Sequence, residues 1–194
     1  MMRPDIYDAI ERANRSGMLC TIASNGTLMT KEVVRKLKEA GIHRVEIGYD
    51  GCRPETHDFL RNQPWAFKQT IEGIRNCMEE GFDEVCATMT MHSGNVDELE
   101  ETVDIAEELG VNRFYLNRLI PDGRGKELMS MDVTREQKVR ALEFLYGRFT
   151  SRVLSGQGIQ CYCRGMTYYG RLGYERSGGR VFTVSEALSG HSRM

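Results

Sequence analysis

Short polar motifs with hydroxyl, amide and carboxylate groups follow four apolar runs of this sequence. Such groups bind polar ligands through directional hydrogen bonds, and loops on a rigid scaffold often present them. They do not form a nucleophile–base pair or a set of metal ligands. The motifs are Ser24-Asn25-Gly26, Asp50-Gly51, Thr90-Met91-His92 and Asn117-Arg118.

Each motif also has an ordinary structural interpretation as a turn former or a helix cap. Taken alone, Asn25-Gly26 is more typical of a turn, whereas Asp50-Gly51 fits a turn and a ligand site equally well. The occurrence of all four after strand-like runs is stronger evidence for a site than any single motif. The candidate binding residues are therefore Ser24, Asn25, Asp50, Thr90 and Asn117.

The elements that would position these residues follow a repeated pattern of a polar helical stretch, a glycine and a strand-like run. The glycines are Gly17, Gly41, Gly81 and Gly110. A glycine just past a helix adopts the left-handed conformation at little cost, which ends the helix and turns the chain back. Helices that alternate with strands predict a parallel sheet, whose carboxyl edge carries the chemistry in such folds.

The predicted strands are residues 19–23, 44–47, 84–90 and 113–119. Thr30, Asn95 with Glu98, and Thr134 with Gln137 are predicted helix starts, because a side-chain oxygen there can cap the first turn. Residues 52–64, which include His57, and residues 160–186 show no clear period and are predicted to be irregular. A cap, a turn or a functional role is open for His57. The predicted division is a core over residues 1–128 and a C-terminal helix with a Gly/Tyr/Arg-rich extension over residues 129–194.

Composition excludes several classes of function. The formal net charge of −2 gives no electrostatic footprint for nucleic acid, and no basic stripe indicates a membrane surface. No apolar run approaches the roughly 20 residues that span a bilayer, and residues 1–5 lack the apolar core of a signal peptide. We therefore predict a cytoplasmic protein without a nucleic-acid or membrane partner.

The six cysteines do not suggest a disulfide framework in such a protein. Cys20, Cys77 and Cys86 lie among apolar neighbours and fit small core residues. Cys161 and Cys163 form the only close pair, which is weak evidence for a metal. Glycine-rich phosphate loops and the Gly-x-Ser-x-Gly motif are absent from the sequence.

Four segments resemble the radical S-adenosylmethionine (SAM) enzymes: SNGTLMTKEVVRKLKEAGIHRVEIGYDG, ETHDFLRN, FKQTIEGIRNCMEEG and LNRLIPDGRGKEL. The branch of this family that the sequence most resembles carries an extra C-terminal iron–sulfur domain. Its members make haem derivatives or modify peptides. The tail RGMTYYGRLGYERSGGRVFTVSEALSGH is similar to the haem-biosynthesis members. The resemblance covers residues 1–128.

The resemblance implies a partial (β/α) barrel of parallel strands with outer helices, here without its first two strands and followed by a short irregular segment. It also implies two cofactors, SAM and a [4Fe–4S] cluster whose electron cleaves SAM to a hydrogen-abstracting 5′-deoxyadenosyl radical. By position, Ser24-Asn25-Gly26 corresponds to the third-strand motif of the family. Asp50 would lie next to the SAM ribose, Thr90 would end the fifth strand, and Asn117 would end the sixth strand near the adenine or the substrate.

Three departures from the family pattern affect this interpretation. Gly48 stands where the fourth-strand motif usually has serine, so one hydroxyl contact to SAM is missing. No Cys-x-x-x-Cys-x-x-Cys occurs in the sequence, so the usual cluster ligands are absent and neither a catalytic residue nor a metal ligand is assigned. The chain also begins where the family is already two strands in, and it stops before the cysteines of the auxiliary cluster.

The sequence thus predicts a fragment of a radical SAM enzyme for a tetrapyrrole or peptide substrate, inactive as an isolated chain. Its first strand would be an unprotected sheet edge, open to a second copy of the chain or to a missing subunit. The alternatives are a non-catalytic α/β binding or partner module and an α/β-barrel enzyme unrelated to SAM.

Overall fold

Five parallel strands form one sheet in the computed structural model, which describes residues 3, 5–120 and 122–164. The strands follow each other across the sheet in chain order, and helices connect them. The α/β class and the parallel strands with outer helices are therefore confirmed. The elements are α1 (Ile6–Arg15), β1 (Cys20–Ser24), α2 (Lys31–Ala40), β2 (Ile42–Gly48), α3 (Pro54–Arg61), α4 (Ala66–Glu80), β3 (Glu84–Met91), α5 (Leu99–Glu108), β4 (Arg113–Arg118), α6 (Arg135–Ser155) and β5 (Gln160–Arg164), with 3-10 helices at Val96–Glu98 and Gly123–Met131.

The predicted helix ends and two of the predicted caps are confirmed. Gly41 has a φ of 101° directly after α2, and Gly17, Gly81 and Gly110 also have positive φ. The Thr30 hydroxyl accepts a hydrogen bond from the Val33 amide. Thr134 and Gln137 form a reciprocal capping box at the start of α6.

The two faces of the sheet differ in chemistry, because successive side chains of a strand point to opposite sides. One face packs against the helices and forms the apolar core. We call the other the inner face; it carries arginine, glutamate, tyrosine and threonine side chains. The core side chains from the strands include Val45, Ile47, Val85, Ala87, Met89, Phe114, Leu116 and Cys161.

Three local predictions are wrong. The stretch 52–64 contains α3, and residues 160–164 form β5, which pairs with β4 in parallel. Asn95 stands at the predicted start, directly before the 3-10 helix Val96–Glu98, but its side chain does not cap that helix and bonds instead to the ends of β2 and β3. The remainder of the predicted irregular segment lies outside the described residues, and the division at residue 128 stays a prediction.

The structure also bears on membrane insertion. Across the part of the chain that the structure describes, no helix has the length and apolar character needed to cross a bilayer.

Candidate functional site at the carboxyl edge of the sheet

The ends of β1, β2, β3 and β4 bring the sequence-predicted residues to one edge of the sheet. Ser24 is paired with Ile47, so Asn25 lies beside Gly48. Thr90 is paired with Asn117, and the amide of Thr90 binds the Asp50 side chain. All five candidate residues therefore lie at the carboxyl edge.

Ser24 and Asn25 shape the turn after β1. The Ser24 hydroxyl accepts a hydrogen bond from the Gly26 amide at 3.1 Å. The Asn25 side-chain oxygen accepts from the Thr27 amide at 3.2 Å and from its hydroxyl at 2.9 Å. The Asn25 side chain is exposed, and its Nδ2 group remains a donor toward solvent. Asn25 thus has the structural role of a turn residue and retains a donor for a ligand.

Asp50 is the buried centre of the edge, with 1% of its side chain exposed. Its Oδ1 atom accepts from the Thr90 amide at 2.8 Å, and its Oδ2 atom pairs with the Arg61 guanidinium. Burial raises the pKa of the Asp50 carboxyl, whereas Arg61 and the Thr90 amide oppose that shift. Both carboxylate oxygens are engaged within the protein, so Asp50 ties the end of β2 to β3 and to α3.

Gly48 makes the position of Arg61 possible. A Cβ atom on Gly48 would lie 2.7 Å from the central carbon of the Arg61 guanidinium, and closer still to its NH2 atom. The space that a serine side chain would enter is therefore occupied by an arginine that neutralises Asp50. The sequence showed only a missing hydroxyl at Gly48, and the structure supplies the reason for the glycine.

His57 links the ends of β1 and β2 through α3 and α4. Its Nδ1 atom accepts a hydrogen bond from the Asp50 amide at 3.1 Å, so the neutral ring carries its proton on Nε2. Nε2 lies 3.3 Å from the Thr70 hydroxyl, which donates to the Asn25 carbonyl at 2.8 Å. Burial and the nearby Arg61 lower the pKa of His57 to about 4. His57 is therefore a buried, neutral connector, not a residue of an irregular loop.

Asn95 and Glu98 hold the loop after β2. The Asn95 side-chain amide donates to the carbonyls of Asp50 and Thr90, each at 2.9 Å. The Glu98 carboxylate accepts from the Cys52 amide at 3.1 Å and from the Thr56 hydroxyl. These bonds fix the start of α3, and the Asn-x-x-Glu pattern that looked like a helix cap serves this loop.

The edge also has polar groups that remain available. Asn117 is half-buried and makes no side-chain hydrogen bond within the described residues. Arg164, at the end of β5, is paired with Asn117 across the sheet, and its side chain is 40% exposed. Sequence analysis missed Arg164 because the region lacked a period. It also missed Arg61, although its place in α3 one turn after His57 was a possible signal.

Comparison with known proteins identifies the family. The sequence profile of the Radical SAM superfamily matches residues 1–106, more than half of the chain. The chain belongs to the radical SAM superfamily. The resemblance read from the four sequence segments is thus confirmed.

Two curated relatives of this radical SAM chain come from Methanosarcina barkeri. An AdoMet-dependent heme synthase is 35% identical over 146 residues, which cover 75% of this chain and 41% of the relative. An Fe-coproporphyrin III synthase is 31% identical over 196 residues, which cover 97% of this chain and 48% of the relative. The chain thus spans less than half the length of these two relatives.

A solved structure supports the radical SAM fold. Streptococcus suis SuiB bound to S-adenosylmethionine aligns with a TM-score of 0.68 at 14% identity. The alignment covers 87% of this chain and 36% of SuiB. At this identity the likeness shows the fold alone.

The cysteines of this radical SAM chain do not fit a [4Fe–4S] cluster. Such a cluster needs three thiolates that converge on one point. Among the described residues, no three cysteine, histidine or acidic side chains lie together as a metal site. Burial raises the pKa of Cys77, Cys86, Cys161 and Cys163 to about 12, which disfavours thiolates. The close pair Cys161 and Cys163 lies on one face of β5, the core face.

Proposed function

We propose that this chain binds SAM at the carboxyl edge of its sheet and forms part of a radical SAM enzyme acting on a tetrapyrrole. The observation that carries the proposal is the meeting of Asn25, Asp50, Thr90 and Asn117 at that edge. Membership of the superfamily supports SAM as the ligand, and the two Methanosarcina barkeri relatives support the tetrapyrrole.

The residues of the edge divide into binding and positioning roles. Asn117 has an unused amide, and the exposed Asn25 retains an amide donor, so these two side chains would bind SAM. Asp50 and His57 are fully engaged with the protein and would hold the loops that surround it. Bound SAM supplies radical chemistry when its sulfonium is reduced, and the side chains of the edge would bind and orient it.

Reductive cleavage needs a [4Fe–4S] cluster, and among the described residues no three metal-binding side chains lie together to hold one. We therefore propose that the chain by itself binds SAM without cleaving it, and that cluster ligands come from outside the present 194 residues. The non-catalytic binding module remains the second candidate, because the missing ligand motif supports it equally. A cytoplasmic location remains a prediction.

Titration calorimetry tests SAM binding by the wild-type chain and by Asn117→Ala. We expect Asn117→Ala to weaken binding about fivefold to tenfold, because one hydrogen bond to a polar ligand contributes roughly 1 kcal/mol. Gln157→Ala removes an exposed amide from the loop that precedes β5, at the amino edge of the sheet, and should leave binding unchanged. A wild-type chain that does not bind SAM would refute the proposed site.

Anaerobic treatment with iron and sulfide tests the second part of the proposal. We expect neither cluster absorbance nor 5′-deoxyadenosine after reduction of the isolated chain with SAM. A cluster band together with SAM cleavage would show that this chain is catalytic by itself. SAM binding without cleavage, even when a cluster-bearing partner is supplied, would favour the binding module.

The open edge of β1 is the proposed partner surface. Within the described residues β1 pairs only with β2, and Met18 and Leu19 beside it are 61% and 83% exposed. A further strand, from a second copy or from another subunit, would satisfy the unpaired backbone groups. We expect light scattering to detect concentration-dependent association, and Leu19→Lys to reduce it, because a charged side chain beside the open strand hinders edge-to-edge pairing. A wild-type chain that stays monomeric at high concentration would contradict this expectation.

A further inference from the structure

A network of charged and aromatic side chains covers the inner face of the sheet. Glu46 binds Arg44 and Arg164, with nitrogen–oxygen distances of 2.6 Å to Arg44 and 2.9 Å for each of two bonds to Arg164. Glu84 pairs with Arg44 and Arg113, each at 2.9 Å. Three arginines therefore share two carboxylates, which leaves one positive charge in excess in this network of described residues.

The excess charge is most accessible at Arg164. The Arg164 side chain is 40% exposed, whereas those of Arg44 and Arg113 are 26% and 20% exposed. Its guanidinium carbon lies 3.8 Å from the centre of the Tyr115 ring, and Glu46 holds the group from the other end. Ring and carboxylate together fix the guanidinium in one orientation beside the carboxyl edge.

Arg164 retains hydrogen-bonding capacity in this orientation. A guanidinium has five N–H groups, and Glu46 engages two of them. A planar, fixed guanidinium with remaining donors suits a second carboxylate, which it can bind through parallel bonds. Across the sheet, Arg164 is paired with Asn117, so the second carboxylate would belong to a molecule that occupies the carboxyl edge.

We propose that Arg164 recognises a carboxylate of the tetrapyrrole substrate on the inner face of the sheet. The inference rests on the proposed function, because that function places a carboxylate-bearing macrocycle next to the edge. Tyr115 lies beneath the guanidinium and stacks on Tyr162, with ring centres 5.3 Å apart. SAM also carries a carboxylate, so the experiment must separate the two ligands.

The test is a fluorescence titration of the full chain with coproporphyrin III, which has four carboxylates, and with its uncharged tetra-amide. Arg164→Gln should weaken binding of the tetracarboxylate about tenfold or more, because it removes a charge-assisted bond, and should leave the tetra-amide unchanged. Arg35→Gln is the matched control, since Arg35 is an exposed arginine of α2, away from the carboxyl edge, that also pairs with a glutamate, Glu39. It should bind both probes like the wild type.

Glu46→Gln separates recognition from a purely structural role. It breaks the same ion pair as Arg164→Gln but leaves the guanidinium and removes a competing anion. Binding of coproporphyrin III should therefore become several-fold tighter, whereas structural damage would weaken it in both variants. Circular dichroism of each variant verifies that the sheet is intact.

Four results would overturn the inference. The first two are a wild-type chain that does not bind coproporphyrin III and an Arg164→Gln variant whose affinity for it changes less than twofold. The other two are an Arg164→Gln variant that loses equal affinity for the tetracarboxylate and the tetra-amide, and one that loses affinity for SAM alone. A chain that binds coproporphyrin III through Arg164 but does not bind SAM would instead refute the proposed function and leave this inference standing.

Discussion

Arg61→Met is expected to lower the free energy of unfolding by about 3–5 kcal/mol at pH 7, because it leaves a buried carboxylate without its counterion. Asp50 is 1% exposed and has no second cation within ion-pair distance among the described residues. Urea denaturation followed by circular dichroism measures the change. Arg15→Met, which removes an exposed pair with Glu11, should cost less than about 1 kcal/mol.

Two further measurements identify the mechanism of this loss. The double variant Asp50→Asn/Arg61→Met should recover part of the stability, since it buries no charge. Lower pH should also reduce the penalty of Arg61→Met, because a protonated Asp50 needs no counterion. A penalty that is equally large at pH 5 and in the double variant would mean that packing, not charge, explains the loss.

Lowering the pH from 6.5 to 4 is expected to reduce the free energy of unfolding by about 3 kcal/mol, because His57 resists protonation in the folded state. The folded-state pKa of His57 is about 4, below its ordinary value of 6.5. Above pH 6.5 the ring is neutral in both states, and the full stability is present. As pH falls below 6.5, the unfolded chain binds a proton that the folded chain does not, so stability is lost until the folded ring also protonates.

Urea denaturation at several pH values compares the wild type with His57→Gln. Burial also lowers the pKa of His92, so the informative quantity is the difference between the two pH profiles. The free energy of unfolding of His57→Gln should fall less steeply with decreasing pH than that of the wild type. His43→Gln, which replaces an exposed histidine, should keep the wild-type dependence on pH. Parallel profiles for wild type and His57→Gln would contradict the buried neutral role.

The repeated elements could be predicted because their signals are local. Gly41 and Gly81 end helices within one turn, and Thr134 with Gln137 forms a capping box within four residues. Parallel pairing then follows from the alternation of helices and strands. The convergence of Asn25, Asp50, Thr90 and Asn117 could be deduced from that topology without knowledge of any contact.

The remaining features depend on contacts between distant parts of the chain. Arg164 and Glu46 lie 118 positions apart, and β5 is a strand because β4 offers it an edge. His57 is buried because Asp50, Thr70 and aromatic neighbours surround it, which a short, weakly periodic helix does not reveal. The role of Asn95 could not be read from its position, because the same side chain can cap a helix or join two strand ends.

The shared space of Gly48 and Arg61 has an evolutionary consequence. A side chain at position 48 and a guanidinium above it exclude each other, and Asp50 needs the guanidinium. A mutational path from Gly48 to serine therefore passes through a disfavoured intermediate unless position 61 changes as well. We expect the two positions to covary among descendants of a common ancestor, with glycine retained wherever the arginine is retained.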